Sequence, residues 1–276
     1  MATGSGVIHK YLRPHKKFPH VWCPGCGIGT VTAALVRAIH SVGYSKDEVV
    51  MVSGIGCTGR MPVYLDFCSL HTTHGRALPF ATGIKIARPD LNVIAVMGDG
   101  DATAIGGNHF IHTARRNHGI TAVVVNNNNY GMTGGQYSPT TPLNNFATTA
   151  PYGHIEPPFQ IVKLAEASGA VYVARSTVFH VRLLERVLAQ AVQKNGFSIV
   201  EAVSQCPVGY GKSNKLGSPV DMLQWQREHA VNIKAAEKMT KEELEDKFLI
   251  GVFVDRDIPE YNERYAEVIK KAQSTE

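Results

Sequence analysis

Short apolar runs alternate along most of this chain with longer segments whose apolar residues recur at helical spacing. The runs predict strands at residues 49–52, 93–97, 120–125, 171–174 and 198–203. The longer segments predict helices over residues 27–42, 77–87, 104–117, 159–168 and 181–194. Strands that alternate with helices predict a parallel sheet with helices on both faces. The expected fold class is therefore α/β, with ligands bound at the carboxyl ends of the strands.

This alternation becomes less regular after Cys206. We therefore expect residues 1–206 to form an α/β domain and residues 207–276 to form a C-terminal extension that wraps a partner. Within the extension, a helix is predicted over the charged segment 238–247, which opens with a capping pattern. A second helix is predicted over residues 261–272.

Composition excludes several classes of protein. Of the 276 residues, 44% are hydrophobic and 18% are charged, as in ordinary globular proteins. No apolar stretch approaches the ~18 residues of a membrane-spanning helix, and the amino terminus, a basic arm, lacks a secretory pattern. The cytoplasm is therefore expected. The 28 basic and 23 acidic residues give a net charge of +5, which suits an acidic partner or anionic cofactor but is too weak to indicate nucleic acid.

An acidic, glycine-rich turn follows the run at 93–97, with the sequence Gly98-Asp-Gly-Asp101. Four asparagines, Asn126 to Asn129, follow the next run. Carboxylate and amide oxygens at successive strand ends suit Mg²⁺, and a main-chain carbonyl before Tyr130 could supply a third ligand. Glycines that open a helix let backbone amides approach a phosphate. Each half alone is a common turn or polar loop, but the combination predicts a diphosphate cofactor held through magnesium.

Five cysteines are an odd number for a disulfide framework, and metal binding or catalysis is the better use of a cysteine cluster in a reducing compartment. Cys23 and Cys26 share a tight turn, while Cys57 and Cys206 follow predicted strands. Four thiolates at one sheet edge fit a 4Fe–4S cluster or a structural zinc ion, and spacing alone does not separate the two. The position of Cys57 beside the predicted cofactor pocket favours iron and sulfur. Cys68 matches no ligand position and is expected to be buried and inert.

The acidic turn and the asparagine pair together resemble the thiamin diphosphate signature, which opens with Gly-Asp-Gly and closes with Asn-Asn. Further motifs narrow the resemblance, namely Ile105-Gly-Gly-Asn-His109, Arg115-Arg-Asn117 and Tyr130-Gly-Met-Thr-Gly-Gly-Gln136. From about Trp22 to Cys206 the chain is similar to the β subunit of 2-oxoacid:ferredoxin oxidoreductases, most of all to the type that acts on 2-oxoglutarate. The resemblance implies the thiamin diphosphate-binding fold.

The same resemblance implies which residues bind the cofactors. The Mg²⁺ ligands would be Asp99, Asn127 and the carbonyl of Asn129. The 4Fe–4S cluster would be held by Cys23, Cys26, Cys57 and Cys206. Thiamin diphosphate would contact Ile55, Gly56, Cys57, Thr58, His74, Gly100, Asp101, Gly131 and Met132. Candidate substrate-binding residues are Thr133, Arg76 and His71, the last two because a distal carboxylate needs a cation.

The implied activity is the reversible oxidative decarboxylation of 2-oxoglutarate with coenzyme A to succinyl-CoA and CO₂, with ferredoxin as the electron acceptor. Pyruvate is the alternative substrate. No glutamate that could activate thiamin stands beside the motifs, so an α subunit is expected to supply it, in an (αβ)₂ assembly. Two other classes stay open: a thiamin-dependent decarboxylase or synthase without a cluster, and a zinc-stabilised scaffold subunit without a redox role.

Overall fold

A computed structural model of the protein describes residues 4–15 and 19–274. Two sheets account for the strands in this part of the chain. In chain order, the strands are β1 Val49–Ser53, β2 Cys68–His71, β3 Asn92–Gly98, β4 Ile120–Asn126, β5 Asn129–Tyr130, β6 Gln136–Tyr137, β7 Tyr172–Thr177, β8 Ser198–Val203, β9 Ala230–Asn232 and β10 Phe248–Asp255.

Helices occupy most of the segments between the strands. In chain order, they are α1 Gly4–Lys10, α2 Ile28–Val42, α3 Gly56–Gly59, α4 Met61–Tyr64, α5 Ala77–Ala87, α6 Asp99–Thr103, α7 Gly107–Arg116, α8 Ile161–Ala167, α9 Val181–Gln193, α10 Pro219–His229, α11 Ile233–Ala236 and α12 Tyr261–Gln273. A π-helical turn spans Pro207–Gly211. Across the described residues, no helix has both the length and the apolar character needed to cross a membrane.

The main sheet has eight strands in the order β2-β1-β3-β4-β8-β7-β10-β9. Its pairs from β2 to β7 are all parallel, whereas β10 runs antiparallel to β7. Parallel strands bring their carboxyl ends to one edge, so the segments that follow β1, β3, β4 and β8 meet there. The predicted α/β fold with a mostly parallel sheet is confirmed.

Both faces of the sheet are buried, which explains why its strands are almost continuously apolar. On β4, Val123 and Val125 face one core, while Ala122 and Val124 face the other. Helices α2 and α9 cover the first face, and α5, α7 and α8 cover the second. The resulting rigid sheet fixes the direction of each segment that leaves its carboxyl edge.

The helix predicted over 104–117 is present as α7, which begins at Gly107, and a separate short helix, α6, precedes it. Two other predicted elements were wrong. The amino-terminal arm contains helix α1, whose Val7 and Ile8 pack against the core. Segment 238–247 consists of turns, although Thr240 and Glu243 still exchange the two hydrogen bonds of a capping box. None of its residues is buried, and helices in proteins depend mainly on packing.

Residues 207–276 add β9 and β10 to the same sheet as the first 206 residues. Asn117 ties this extension to the sheet, because its Nδ2 donates to the carbonyls of Ile258 and Pro259 at 3.2 and 3.1 Å. Its Oδ1 accepts from the backbone N–H of Phe197 at 2.8 Å. The extension is therefore continuous with the α/β domain, and its contact with a partner stays a prediction.

Candidate functional site

A cavity of about 320 Å³ opens at the carboxyl edge of the sheet, beside the ends of β1, β3 and β4. It is lined by Ile55, Gly56, Cys57, Thr58, His74, Gly98, Asp99, Gly100, Asp101, Ile105, Asn127, Asn129, Tyr130, Gly131, Met132 and Thr133. All nine residues predicted to contact the cofactor belong to this lining, as do the three predicted magnesium ligands. Separate stretches of sequence therefore meet in one cavity because parallel strands end at one edge.

Two further residues of the lining, Ile105 and Tyr130, appear in the motifs of the sequence analysis but were not predicted to contact the cofactor. Tyr130 explains the need for glycine at position 100, since a Cβ on Gly100 would lie 2.3 Å from the tyrosine ring. The only signal for this contact in the sequence was that Tyr130 directly follows the asparagine block.

Of the three predicted substrate-binding residues, Thr133 lies at the cavity and the other two are not in its lining. The Nδ1 atom of His71 is 2.7 Å from the Ser53 hydroxyl, which holds the ring on the edge strand β2. Arg76 immediately precedes α5. His74 is therefore the only residue in the described lining whose side chain can carry a positive charge.

Asp99 is almost completely buried, at 2% exposure, and its two carboxylate oxygens have different surroundings. Its Oδ2 accepts hydrogen bonds from the hydroxyls of Ser138, at 2.7 Å, and Thr140. Burial raises the pKa of Asp99 to about 6, although the bonds from Thr140 and Ser138 oppose that rise. The hydroxyls therefore fix the carboxylate in one orientation and leave Oδ1 facing the asparagine loop.

The side-chain amide of Asn127 lies between two acceptor oxygens. One terminal atom of this amide is 2.8 Å from the carbonyl oxygen of Asn129 and 3.2 Å from Oδ1 of Asp99. With nitrogen at that position, the amide donates to both. With oxygen there, three oxygens converge with no donor among them, and the two separations from Asn127 match the ~3 Å edges of a magnesium octahedron with ~2.1 Å bonds. The same atoms thus suit either two hydrogen bonds from the Asn127 amide or part of a cation site.

The side-chain amide of Asn129 points away from these oxygens and toward the cysteines, since a Cβ on Gly131 would lie 3.6 Å from its Oδ1 and 3.3 Å from the sulfur of Cys206. The side chain is buried at 4% exposure, and both of its polar atoms lack a hydrogen-bond partner in the described structure. Buried amides normally have partners, and an orphaned one calls for an explanation such as an ion or ligand. On the other side, the Asp99 carboxylate, the Asn127 amide oxygen and the Asn129 carbonyl fit a hard cation that prefers oxygen ligands.

Asp101 lies on the other side of the acidic turn and anchors the loop that carries His74. Its Oδ1 accepts from the backbone N–H of Gly75 at 2.7 Å, while its buried Oδ2 has no partner. Burial raises the pKa of Asp101, and the backbone bond from Gly75 and the nearby His74 oppose the rise. The carboxylate packs so closely that a Cβ on Gly54 would lie 1.5 Å from its Oδ2.

We expect Gly54→Ala to destabilise the protein by about 1–3 kcal/mol, because the added methyl group overlaps the Asp101 carboxylate. The control is Gly83→Ala inside α5, where an added Cβ meets no atom within 4 Å. That change should stabilise the helix by about 0.5–1 kcal/mol. Urea denaturation of both variants measures the difference, and equal stabilities would contradict the assigned contact.

The thiols of four cysteines gather next to the same cavity. A Cβ on Gly131 would lie 3.3 Å from the sulfur of Cys206 and 3.7 Å from that of Cys57. Burial raises the pKa of Cys26 to about 12, and the charges of Cys206, Cys57 and Cys23 add to the rise. Cys57 also lines the cavity, and Trp22 Nε1 donates to its carbonyl at 2.7 Å. One wall of the cavity is therefore shared with the cysteine group.

Across residues 4–15 and 19–274, no three His, Cys, Asp or Glu side chains are already arranged to hold a single metal ion. Cys68 is exposed rather than buried, so that prediction was wrong. It lies on β2, a strand with one neighbour in the sheet.

Two other cavities are larger. One, of about 640 Å³, shares Asn127 with the cavity described above and is enclosed partly by Met222 and Trp225 of α10. The other, of about 410 Å³, lies near Arg115 and Tyr265, at the opposite edge of the sheet. Neither lining combines a carboxylate with a glycine turn, so neither has the features of a diphosphate-binding site.

Comparison with known proteins agrees with this geometry. Residues 54–202 match the family described as thiamine pyrophosphate enzyme, C-terminal TPP binding domain. The 2-oxoglutarate synthase subunit KorB of Methanocaldococcus jannaschii is 49% identical over 265 residues, covering 96% of this chain and 98% of the relative. The subunit of the same name from Archaeoglobus fulgidus is 47% identical over 269 residues, with coverage of 96% and 97%.

A solved structure extends the comparison to the whole fold. It is the 2-oxoglutarate:ferredoxin oxidoreductase from Magnetococcus marinus, with 2-oxoglutarate, coenzyme A and succinyl-CoA bound. The match has a TM-score of 0.85 at 32% identity and covers 96% of this chain and 90% of that chain. Fold, cavity and matched domain define the class, that of thiamin diphosphate-binding proteins. More narrowly, the chain belongs to the β subunits of the 2-oxoacid:ferredoxin oxidoreductase family.

Proposed function

We propose that this chain is the β subunit of an enzyme that oxidatively decarboxylates 2-oxoglutarate with coenzyme A. The products are succinyl-CoA and CO₂, the electrons pass to ferredoxin, and the reaction is reversible. The observation that carries the proposal is a shared wall: Cys57 and Gly131 line the diphosphate cavity on one side and lie beside the cysteine thiols on the other. Electron transfer requires donor and acceptor groups to lie close together, and this wall provides that proximity.

In this proposal Asp99, Asn127 and the carbonyl of Asn129 hold Mg²⁺, which binds the diphosphate of thiamin. Gly98 and Gly100, at the start of α6, let the phosphates come close to the backbone N–H groups of this turn. When bound, thiamin diphosphate would supply a nucleophilic carbon for the keto group and a thiazolium ring that takes up the electron pair left behind by CO₂. The chain itself binds the diphosphate, orients the thiamin ring and encloses it beside Tyr130.

Cys23, Cys26, Cys57 and Cys206 hold a 4Fe–4S cluster in this proposal, which provides a one-electron acceptor beside the cavity. Three of these cysteines are partly buried, whereas Cys23 is exposed. An acidic electron carrier such as ferredoxin would approach from that exposed side, and the net charge of +5 favours its association. All five cysteines are free thiols, which suits a reducing cytoplasm.

A partner α subunit completes the site. No glutamate belongs to the described cavity lining, so the acid that activates thiamin comes from elsewhere. The loop after β6 presents exposed apolar side chains, with Tyr152 at 99% and Ile155 at 85% exposure. Such side chains suit a protein interface. We propose that they face the α subunit, with (αβ)₂ as the assembly.

Substrate choice is the finest part of the proposal. The distal carboxylate of 2-oxoglutarate needs a cation, and the described lining offers only His74. A second cation would come from the α subunit, and Thr133 supplies a hydroxyl at the cavity. The names and the bound ligands of the relatives support 2-oxoglutarate.

The test is to express the chain with its α subunit and to assay the purified complex with 2-oxoglutarate and pyruvate side by side. We expect a brown protein that contains iron and reduces ferredoxin faster with 2-oxoglutarate, because His74 and a cation from the α subunit would pair with its second carboxylate. Faster turnover of pyruvate would favour the alternative substrate. A colourless protein that contains stoichiometric zinc would overturn the redox role.

A further inference from the structure

A buried ion pair lies beneath the asparagine loop, outside the cavity lining. Nε of Arg175 on β7 donates to Oε2 of Glu201 on β8 at 2.7 Å. The side chains are only 11% and 3% exposed. Burying two charges in a sheet is costly and is weak evidence for stability by itself, so the pair calls for a further role.

The second oxygen of Glu201 connects this pair to the loop. Nδ2 of Asn126, the last residue of β4, donates to Oε1 of Glu201 at 2.8 Å. Oδ1 of Asn126 accepts from the backbone N–H of Asn128 at 3.2 Å. The chain of contacts thus runs from Arg175 through Glu201 and Asn126 to the residue that follows Asn127.

The conformation at Asn128 explains why the loop needs this support. Asn128 has φ of 59°, a left-handed conformation that is uncommon for residues other than glycine and that asparagine adopts more readily than most. Its carbonyl accepts from the hydroxyl of Thr141 at 2.7 Å, so its backbone is held on both sides. This turn sets the direction in which Asn127 and the carbonyl of Asn129 point toward Asp99.

We propose that Glu201 is a positioning residue for the magnesium site. It fixes Asn126, which fixes the turn at Asn128, and Arg175 holds the Glu201 carboxylate in place. Arg175 also donates to the carbonyl of Leu249 on β10 at 3.3 Å, so the C-terminal extension takes part in the support. The inference rests on the proposed magnesium site and adds residues that do not touch the metal.

The test uses the αβ complex stripped of metal and thiamin diphosphate. Titration with Mg²⁺ at fixed thiamin diphosphate gives the apparent Kd for the metal, and thermal melting is measured on the stripped complex. We expect Glu201→Gln to raise the apparent Kd about 10–100-fold, the usual effect of losing a partner just outside a metal's ligands. Saturating Mg²⁺ should restore cofactor binding. A purely structural role would lower the melting temperature without changing the Kd.

The matched control is Glu185→Gln, which removes the partner of Arg37 in an ion pair of the same 2.7 Å length between α2 and α9. Its apparent Kd for Mg²⁺ should equal that of the wild type. An equal Kd in Glu201→Gln and Glu185→Gln would overturn the inference. Thiamin diphosphate binding that is independent of Mg²⁺ in the wild type would instead overturn the proposed metal site.

Asn126→Ala provides a second, independent route to the same conclusion. It removes both the bond to Glu201 and the bond to Asn128, so it should weaken Mg²⁺ binding even where Glu201→Gln fails to fold. Because both changes act through one chain of contacts, the double variant should bind Mg²⁺ no more weakly than Asn126→Ala alone. Losses that add in the double variant would contradict a role for Glu201 through Asn126.

Discussion

Asp99→Asn is expected to weaken Mg²⁺-dependent binding of thiamin diphosphate by about 100-fold or more. Loss of a partner just outside a metal site already costs about 10–100-fold, and this change removes the only carboxylate of the proposed ligand set. The asparagine side chain has the same shape and can still meet the hydroxyls of Ser138 and Thr140. The cofactor-free variant should therefore fold as stably as the wild type, since it no longer buries an acidic group.

Calorimetric titration of the stripped complex with thiamin diphosphate in the presence of Mg²⁺ measures this effect. The control is Asp90→Asn, a surface carboxylate whose partner is Arg88 at 2.6 Å, and it should bind the cofactor normally. Iron content should be unchanged in both variants, because the four thiols are untouched. Normal cofactor binding by Asp99→Asn would refute the metal assignment.

Cys206→Ala is expected to have the reverse effect. The sulfur of Cys206 lies with that of Cys57 around Gly131, but Cys206 does not line the cavity. Its loss should therefore deplete iron, remove the visible absorbance and reduce ferredoxin reduction to background. Binding of Mg²⁺ and thiamin diphosphate should persist, because the three proposed Mg²⁺ ligands remain in place.

Cys68→Ala is the control for the loss of a thiol, since Cys68 is exposed on β2 and matches no ligand position. Iron and zinc content per chain, with the visible spectrum, separates the outcomes. Full iron content in Cys206→Ala would remove this residue from the cluster. Zinc in place of iron in the wild type would refute the cluster itself.

Asp99→Asn and Cys206→Ala affect the two parts of the site that meet at Gly131. This glycine belongs to the cavity lining, and a side chain there would meet both Cys57 and Cys206. The metal ligands approach from the ends of β3 and β4, whereas Cys206 approaches from beyond β8. The two functions therefore depend on different segments, which is why single substitutions can separate them.

The elements that were predicted correctly are those with a strong local pattern of apolar residues. Strands β3, β4 and β8 were predicted nearly to their ends because burial on both faces makes them continuously apolar. Strand β10 was missed, although it joins the main sheet, because it lies in the irregular C-terminal part and pairs with β7 from far along the chain. Helix prediction over 238–247 failed because a capping signal does not supply a buried face.

The amino-acid sequence by itself determined the α/β alternation and the cofactor motifs at strand ends. It did so because hydrophobic periodicity is a local property of the chain, and parallel strands place the residues that follow them at one edge of the sheet. Only the tertiary structure decided which groups support those motifs, such as Ser138 and Thr140 on Asp99 and Glu201 beneath Asn126. Such contacts join residues 39 to 75 positions apart, and packing of the whole chain selects them rather than any local pattern.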